Sequence, residues 1–198
     1  RVAELAIQQS EADARLLQSL SAELVAQDDV EAIYEKVMDT SMALMGAQCA
    51  SLQSLLVDER GAGALRLLAH RGFDAEAARA WELVHPDGAS TCGVALVTHA
   101  RVMVHDVDEC AFMAGTADLE TYRHAGIRAV QTTPLVSRNG KLVGMLSTHW
   151  SRPCTPSERE LRLLDVIARQ AADVIERRRT EEALRESERR ERERATLL

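Results

Sequence analysis

The chain has 198 residues and a formal net charge of −7, length enough for one domain with a sizeable core and flanking helices. Aromatic side chains make up 3% of it, so rings to stack on bases are scarce, and the acidic balance opposes a phosphate-binding surface; both argue against a nucleic-acid partner. No apolar run reaches the roughly 18 residues of a membrane-spanning helix and no secretory signal is visible, so a cytoplasmic protein without a membrane partner is expected.

From residue 1 to about 26 the pattern is helical, with Leu5, Ala12, Leu16, Leu20 and Leu24 at near-heptad or i+4 spacing. Asp28 followed by Glu31 is a helix-start signal of the capping-box type. The next helix turns Ile33, Val37, Met38, Ala43 and Leu44 inward and stops at Gly46. Residues 48–57 read as a strand, 58–63 as a turn and 64–70 as the hairpin partner. The stretch 73–88 holds a short helix and ends in the Pro86-Asp87-Gly88 turn. Ser90 and Thr91 cap a helix from Cys92 to His99, and 101–107 is a short strand. Residues 108–125 form a loop with a helical piece ending at Gly126. Residues 129–137 and 142–150 are strands joined by an Asn139-Gly140 hairpin turn, and Pro134 belongs at an edge or a bulge.

Thr155, Pro156 and Glu158 supply a cap, a first-turn proline and a capping-box acid for the last helix. Leu161, Leu164, Ile167, Ala168, Ala171, Val174 and Ile175 recur along it at helical spacing. From Glu176 to Arg194 only Ala183 and Leu184 are offered to a core. Such a helix reads as a connector, with its output expected beyond the last residue; a start at Arg1 rather than Met fits an excerpt. Three parts follow: a helix over 1–26, a globular domain over 27–176 and a charged linker over 177–198. Helices at both termini around two hairpins make an α+β fold, with terminal helices on one face of an antiparallel sheet and the middle segment on the other.

The ordered series CGVALVTHARVMVHDV, YRHAGIRAVQTTPLVSRNGKLVGMLSTHW and PSERELRLLDVIARQAADVIERRR closely resembles the GAF domains of bacterial sensor histidine kinases and related signalling proteins. The resemblance covers about residues 22–178 and is strongest from Cys92 to Arg177. It implies a PAS-like central antiparallel sheet of about six strands, a layer of terminal helices and a small-molecule cavity on the opposite face. The tail TEEALRESERR is similar to linkers that lead to a PAS or kinase module. Nothing in the chain resembles a phosphoacceptor-histidine helix or a glycine-rich ATP site, so no kinase activity is expected of the chain itself, only of its parent. The ligand stays unknown. Bilin-binding relatives often carry a Cys-His pair, whereas Ala50, Gly93, Ala111 and Thr155 follow the cysteines here, which argues against covalent bilin. The scattered signature of the cyclic-nucleotide subgroup is not traceable. A b-type haem needs only an axial histidine, which the chain's 6 histidines leave open.

Alternation in 142–150 places Leu142, Gly144, Leu146, Thr148 and Trp150 on one face and Val143, Met145, Ser147 and His149 on the other. In the neighbouring strand Gln131 and Thr133 lie opposite Val130 and Thr132. Polar residues inside an apolar sheet face mark a ligand pocket, and a solvent edge gives the same pattern. Gln131, Thr133, Ser147 and His149 are therefore pocket candidates, with Trp81, Tyr122 and His124 closing the cavity from the middle segment; core packing is the simpler role for Trp81. Cys92, at a helix start, is a candidate redox thiol, against the plainer reading of a small residue that packs the helix onto the sheet. No metal site is expected: His99, His105, Cys110, His149 and Cys154 lack zinc-site spacing. Asp106, Asp108 and Glu109 read as a solvated turn, and the four cysteines as reduced thiols.

On the last helix Leu164, Ala168, Ala171 and Ile175 form a heptad seam that fades into charge. With Leu16 and Leu20 of the first helix they are expected to hold a homodimer. Glu181–Arg185, Glu186–Arg190 and Glu188–Arg192 are favourable i,i+4 pairs, each contributing about 0.2–0.5 kcal/mol. The leading expectation is a small-molecule sensor that signals through its last helix. The alternatives are a ligand-free spacer and dimeriser, or a thiol enzyme built on Cys92 or Cys110.

Overall fold

The computed structural model describes residues 8, 10–15, 17–19, 22, 23, 27, 29–57 and 63–196. Where described, residues 8–23 are helical. They are followed by α1 (Val30–Met45), β1 (Cys49–Val57), β2 (Gly63–Arg71), α2 (Ala75–Ala80), β3 (Leu83–Val84), α3 (Thr91–Thr98), β4 (Val102–Val104), a 3-10 turn (Val107–Glu109), α4 (Ala117–His124), β5 (Ala129–Val136), β6 (Leu142–Trp150) and α5 (Glu158–Thr196). The strands form one antiparallel sheet of six in the order β3-β2-β1-β6-β5-β4. This is the expected α+β fold. The two-residue β3 was not anticipated, because a strand that short has no alternation to read.

Local chemistry sets the helix ends. Asp29 caps α1, its carboxylate accepting from Glu31 N at 3.0 Å; Asp28, the expected cap, lies outside the described residues. Gly46 ends α1 at φ 59°. Within α1, Ala43 faces solvent rather than the core, and Met45 is buried in its stead. The capping box of α5 is Ser157 and Glu160, not Thr155 and Glu158. Ser157 Oγ accepts from Glu160 N (3.2 Å), and Glu160 Oε2 accepts from Ser157 N (2.6 Å). Thr155 Oγ1 instead lies 3.1 Å from His105 Nδ1, itself 3.1 Å from Cys154 O, which ties the chain after β4 to the start of α5.

Two layers cover the sheet. On one face α1 and α5 pack Ile33, Val37, Leu164, Ile167, Ala171 and Ile175 against Ala50, Leu52, Leu146 and Trp150. Trp150 Nε1 donates to Met45 O at 3.0 Å, so its only polar atom is satisfied inside the core. Leu17 packs against the same core, Asp13 pairs with Arg159, and Leu5, Leu16, Leu20 and Leu24 lie outside the described residues. On the other face α2, α3 and α4 pack Ala77, Trp81, Cys92, Leu96, Leu119 and Tyr122 against Leu65, Val130 and Met145.

Strict alternation fails at one place in β6. The pairing shifts between Leu135 and Val136, so Val143 joins the α1/α5 core while Leu142 packs with the other cluster. Gly144 is required there, because a Cβ would overlap the carbonyl oxygen of Gln53 on β1. Pro134 stands beyond the last β4 pair, Val102↔Thr132, and beside this shift, where its missing N–H breaks no ladder with β4.

The last helix leaves the core later than its sequence implies. Arg179 Nη2 donates to Ser54 Oγ at 2.8 Å and to Leu55 O, four residues past Ile175. Long side chains can bury their stems while keeping a polar head bonded, which an apolar pattern does not register. Farther on, Arg190–Glu186 and Arg192–Glu188 form as expected.

Candidate functional site

Aromatic residues are few, 2 Phe, 2 Trp and 2 Tyr, yet three of them meet on the α2/α3/α4 face around His149. The Trp81 ring centroid is 4.8 Å from Tyr122 and 5.1 Å from Phe73. His149 lies 5.0 Å from Phe73, 6.2 Å from Trp81 and 6.4 Å from Tyr122. Such pairs contribute about 0.5–1.5 kcal/mol each beyond their burial. Trp81 arrives as the C-cap of α2, Tyr122 from α4 and His149 from β6.

Beside the rings runs a chain of buried hydroxyls. Thr91 Oγ1 lies 3.2 Å from Tyr122 Oη and 2.8 Å from Thr132 Oγ1, and Thr132 Oγ1 lies 2.8 Å from Ser147 Oγ. Cys92 Sγ lies 3.4 Å from Ser147 Oγ and 3.7 Å from Thr132 Oγ1. Each member satisfies its neighbour. The ring cluster does not: Trp81 Nε1, His149 Nδ1 and Gln53 Oε1 are buried without a hydrogen-bond partner. Their residues are 6%, 3% and 1% exposed, so solvent does not reach them either. An unpaired buried polar atom costs about 1–3 kcal/mol, so each of these three is a position where an added hydrogen-bond partner would be stabilising.

Burial sets the electrostatics. Desolvation pulls the His149 imidazole down to about 3, with a hydrogen bond to the Cys49 backbone acting the other way, so the ring is neutral at physiological pH. Burial also pushes the Tyr122 phenol far up. It raises the Cys92 thiol despite its place in the first turn of α3 and its bonds to Ser147 and Thr132. A buried thiol held protonated agrees with the plainer of the two readings, a small residue that packs α3 onto the sheet.

The expected pocket residues divide into three groups. Trp81, Cys92, Tyr122, Ser147 and His149 come together as described. Gln131 and Thr133 lie on the opposite face, facing α5. Thr133 Oγ1 accepts from Arg101 Nε (2.9 Å) and donates to Gln131 Oε1 (2.8 Å), and Gln131 Nε2 donates to Thr148 Oγ1 (3.2 Å). Arg101 continues to Leu161 O (3.4 Å) and pairs with Asp165, both on α5. These two residues anchor the last helix and do not line the ring cluster. His124 is exposed and lies 3.1 Å from Glu76 and 3.7 Å from Asp74 at the start of α2. Sequence reasoning missed Gln53, Phe73, Thr91 and Thr132. A lone amide in an apolar strand and one of two phenylalanines beside an Asp cap were the available signals for the first two.

The seam residues also need correction. Leu164, Ala168, Ala171 and Ile175 are all buried within the chain's own core, so they cannot face a second copy. Among the described residues, the large apolar side chains left outward on α5 are Val166 and Leu184. Asp108 and Glu109 are exposed as expected of a solvated turn, and two of the acids are also paired: Arg128 donates to Asp106 from Nε (3.1 Å) and Nη2 (2.6 Å), and Arg123 Nε donates to Asp108 (2.8 Å). The Arg128 bonds hold the Asp106 carboxyl below its usual range. Among the described residues no group of three His, Cys, Asp or Glu side chains is placed to hold a metal. A cleft of about 680 Å³ between α5 and the β5–β6 turn, lined by Arg138, Asp173, Arg177 and Leu184 among others, is open to solvent and carries paired charges such as Arg138–Asp173 at 2.6 Å. No helix in the described part is long and apolar enough to cross a membrane.

The geometry is shared with known proteins. A domain of a protein assigned as a two-component sensor histidine kinase, from Sinorhizobium meliloti 1021, is similar at 29% identity and TM-score 0.62, over 80% of this chain and 99% of that one. The GAF domain of a phosphoenolpyruvate-protein phosphotransferase from Coxiella burnetii is similar at 16% identity and TM-score 0.70, over 86% and 96%. The chromophore-binding domain of a Stigmatella aurantiaca bacteriophytochrome is similar at 16% identity and TM-score 0.58, over 83% and 60%. The last two speak for the fold alone. No curated protein matches the chain. GAF domains are regulatory modules of signalling proteins and not catalysts. The GAF domain family model matches residues 29–175, the whole sheet with α1 to α4 and the first part of α5, and the chain belongs to that family.

Proposed function

We propose that this chain is the sensor module of a cytoplasmic signalling protein, a sensor histidine kinase, and that a small molecule bound at the ring cluster acts on the kinase through α5. The observation that carries this reading is the back-to-back placement of the two polar networks. Gln53, with its unpaired Oε1, precedes Ser54, which accepts from Arg179 of α5. Thr132 of the hydroxyl chain precedes Thr133, which holds Arg101 and through it Asp165 and Leu161. A ligand that draws Gln53 toward it moves a residue bonded to the output helix. It shifts the helix only through different affinity for the two states. The histidine-kinase similarity supports the parent assignment. A homodimer through the terminal helices fits this output, with the outward residues Val166 and Leu184 at the contact.

The test is hydrogen exchange along residues 176–190, with and without a binder found by thermal-shift screening. Binding should change exchange there; a binder that leaves those amides untouched overturns transmission through α5. A second reading, a ligand-free dimerising spacer, draws support from how closely the rings pack, with centroids 4.8 Å apart for Trp81 and Tyr122. Native mass spectrometry that finds a dimer and no binder across a metabolite library favours the spacer.

A further inference from the structure

We propose that Phe73 occupies the ligand's place in the ring cluster, and that the ligand is an uncharged planar ring with hydrogen-bonding atoms on its edge, which enters by displacing the Phe73 ring. This rests on the reading of the chain as a sensor.

Phe73 is the half-buried member of the cluster. Its inner neighbours are Trp81 at 5.1 Å and His149 at 5.0 Å, and its outer neighbour is the exposed His70, stacked at 5.7 Å with planes 15° apart. A phenyl ring offers no hydrogen bond, yet it sits against two side chains that each leave a buried polar atom without a partner. The site thus has the shape of a ring and the polarity of something that phenyl is not. Trp81 Nε1 can only donate and Gln53 Oε1 can only accept. The ring that satisfies both carries at least one acceptor and one donor.

The backbone on either side of Phe73 is pinned, so the side chain is the part free to move. Gly72 has φ +78°, and a Cβ there would meet Gln48 O and Cys49 Sγ. On the other side Asp74 caps α2, accepting from Glu76 N (3.0 Å) and Ala77 N (2.8 Å). Rotation about the Phe73 side-chain bonds toward the His70 side opens the cluster without unfolding either anchor.

The surroundings select an uncharged ligand. The cluster consists of Phe73, Trp81, Tyr122, neutral His149 and the amide of Gln53, with no formal charge among them. A buried ion would lack a counter-charge. The field of Asp118 reaches Tyr122 and Cys92, which opposes an anion in particular. A quaternary ammonium would stack on the rings but could not accept from Trp81.

Calorimetric titration at pH 8 with four probes tests this: benzimidazole, its hydrocarbon analogue indene, benzimidazole-5-carboxylate and tetramethylammonium. Phe73→Ala should bind benzimidazole about ten-fold more tightly than the unaltered chain does. In that variant indene should bind about ten-fold more weakly than benzimidazole, the difference shrinking when Gln53→Leu is added. Phe73→Leu, which preserves more packing, should show the same order of probes and serves if the alanine variant does not unfold cooperatively. Equal benzimidazole affinity with and without Phe73 overturns the proposal, as does no binding by any probe to a folded variant. Preference for indene, the carboxylate or the ammonium also overturns it. A carboxylate that binds and alters exchange in α5 sinks the uncharged-ring proposal and leaves the sensor reading standing. Benzimidazole that binds and leaves α5 unchanged does the reverse.

Discussion

The two faces of the sheet are made from alternate residues of the same strands, yet they treat polar groups differently. Under α1 and α5, Gln131, Thr133, Thr148 and Arg101 form a closed chain of hydrogen bonds, and Trp150 gives its N–H to Met45. Under α2, α3 and α4, an equally buried Trp, His and Gln leave Nε1, Nδ1 and Oε1 unpaired. Burial being the same, the difference lies in what each face is built to hold. The network of Gln131, Thr133, Thr148 and Arg101 completes itself and carries a helix; in the reading proposed above, the ring cluster is completed by a ligand.

The largest effect expected from this contrast is on the self-contained face. Trp150→Ala removes a fully buried ring and orphans Met45 O, and should cost about 3–5 kcal/mol in urea unfolding. A loss below about 1 kcal/mol would mean that this face is not the one that stabilises the fold.

Next in size is a pH effect confined to the other face. The His149 imidazole titrates at about 3 in the fold against its ordinary 6.5. Below 6.5 the unfolded chain takes up a proton that the folded chain refuses, so stability falls with falling pH until about 3. The slope is up to about 1.4 kcal/mol per pH unit. Between pH 6.5 and 5 the native chain should therefore lose about 2 kcal/mol more than His149→Phe. Parallel losses in the two would place His149 in contact with water or a partner.

The smallest effect separates the faces by sign. Thr133→Val breaks a satisfied chain and should destabilise by about 1 kcal/mol. Gln53→Leu removes an unpaired oxygen and one long 3.5 Å bond to Trp81 O, and should leave stability unchanged or raise it by about 1 kcal/mol. Equal losses from both would erase the distinction.

Much of the frame was legible because its signals are local. The Asn139-Gly140 turn, the Ser90 cap of α3 and the Gly46 stop each depend on a few neighbouring residues. The site was legible in part. Alternation separated Gln131 from Thr132 correctly but carries no label for which face meets the terminal helices, so Gln131 and Thr133 were expected in the pocket and found beneath α5. Shifts of register between Leu52 and Gln53 and between Leu135 and Val136 offset the alternation and moved Val143. The ring cluster joins residues 53, 73, 81, 122 and 149, separations that no periodicity spans. The Arg179 anchor hid in a charged run, since burial there serves a hydrogen bond and not an apolar side chain.

The central claim is that the unpaired atoms of one face await a ligand. Nitrogen-15 NMR of the Trp81 indole and the His149 ring, during titration with benzimidazole, addresses it directly. Trp81 Nε1 and His149 Nδ1 should both shift and saturate at the same ligand concentration, while Trp150 Nε1, already bonded to Met45, stays fixed. Saturable binding that moves Trp150 and leaves Trp81 and His149 unchanged would contradict the account.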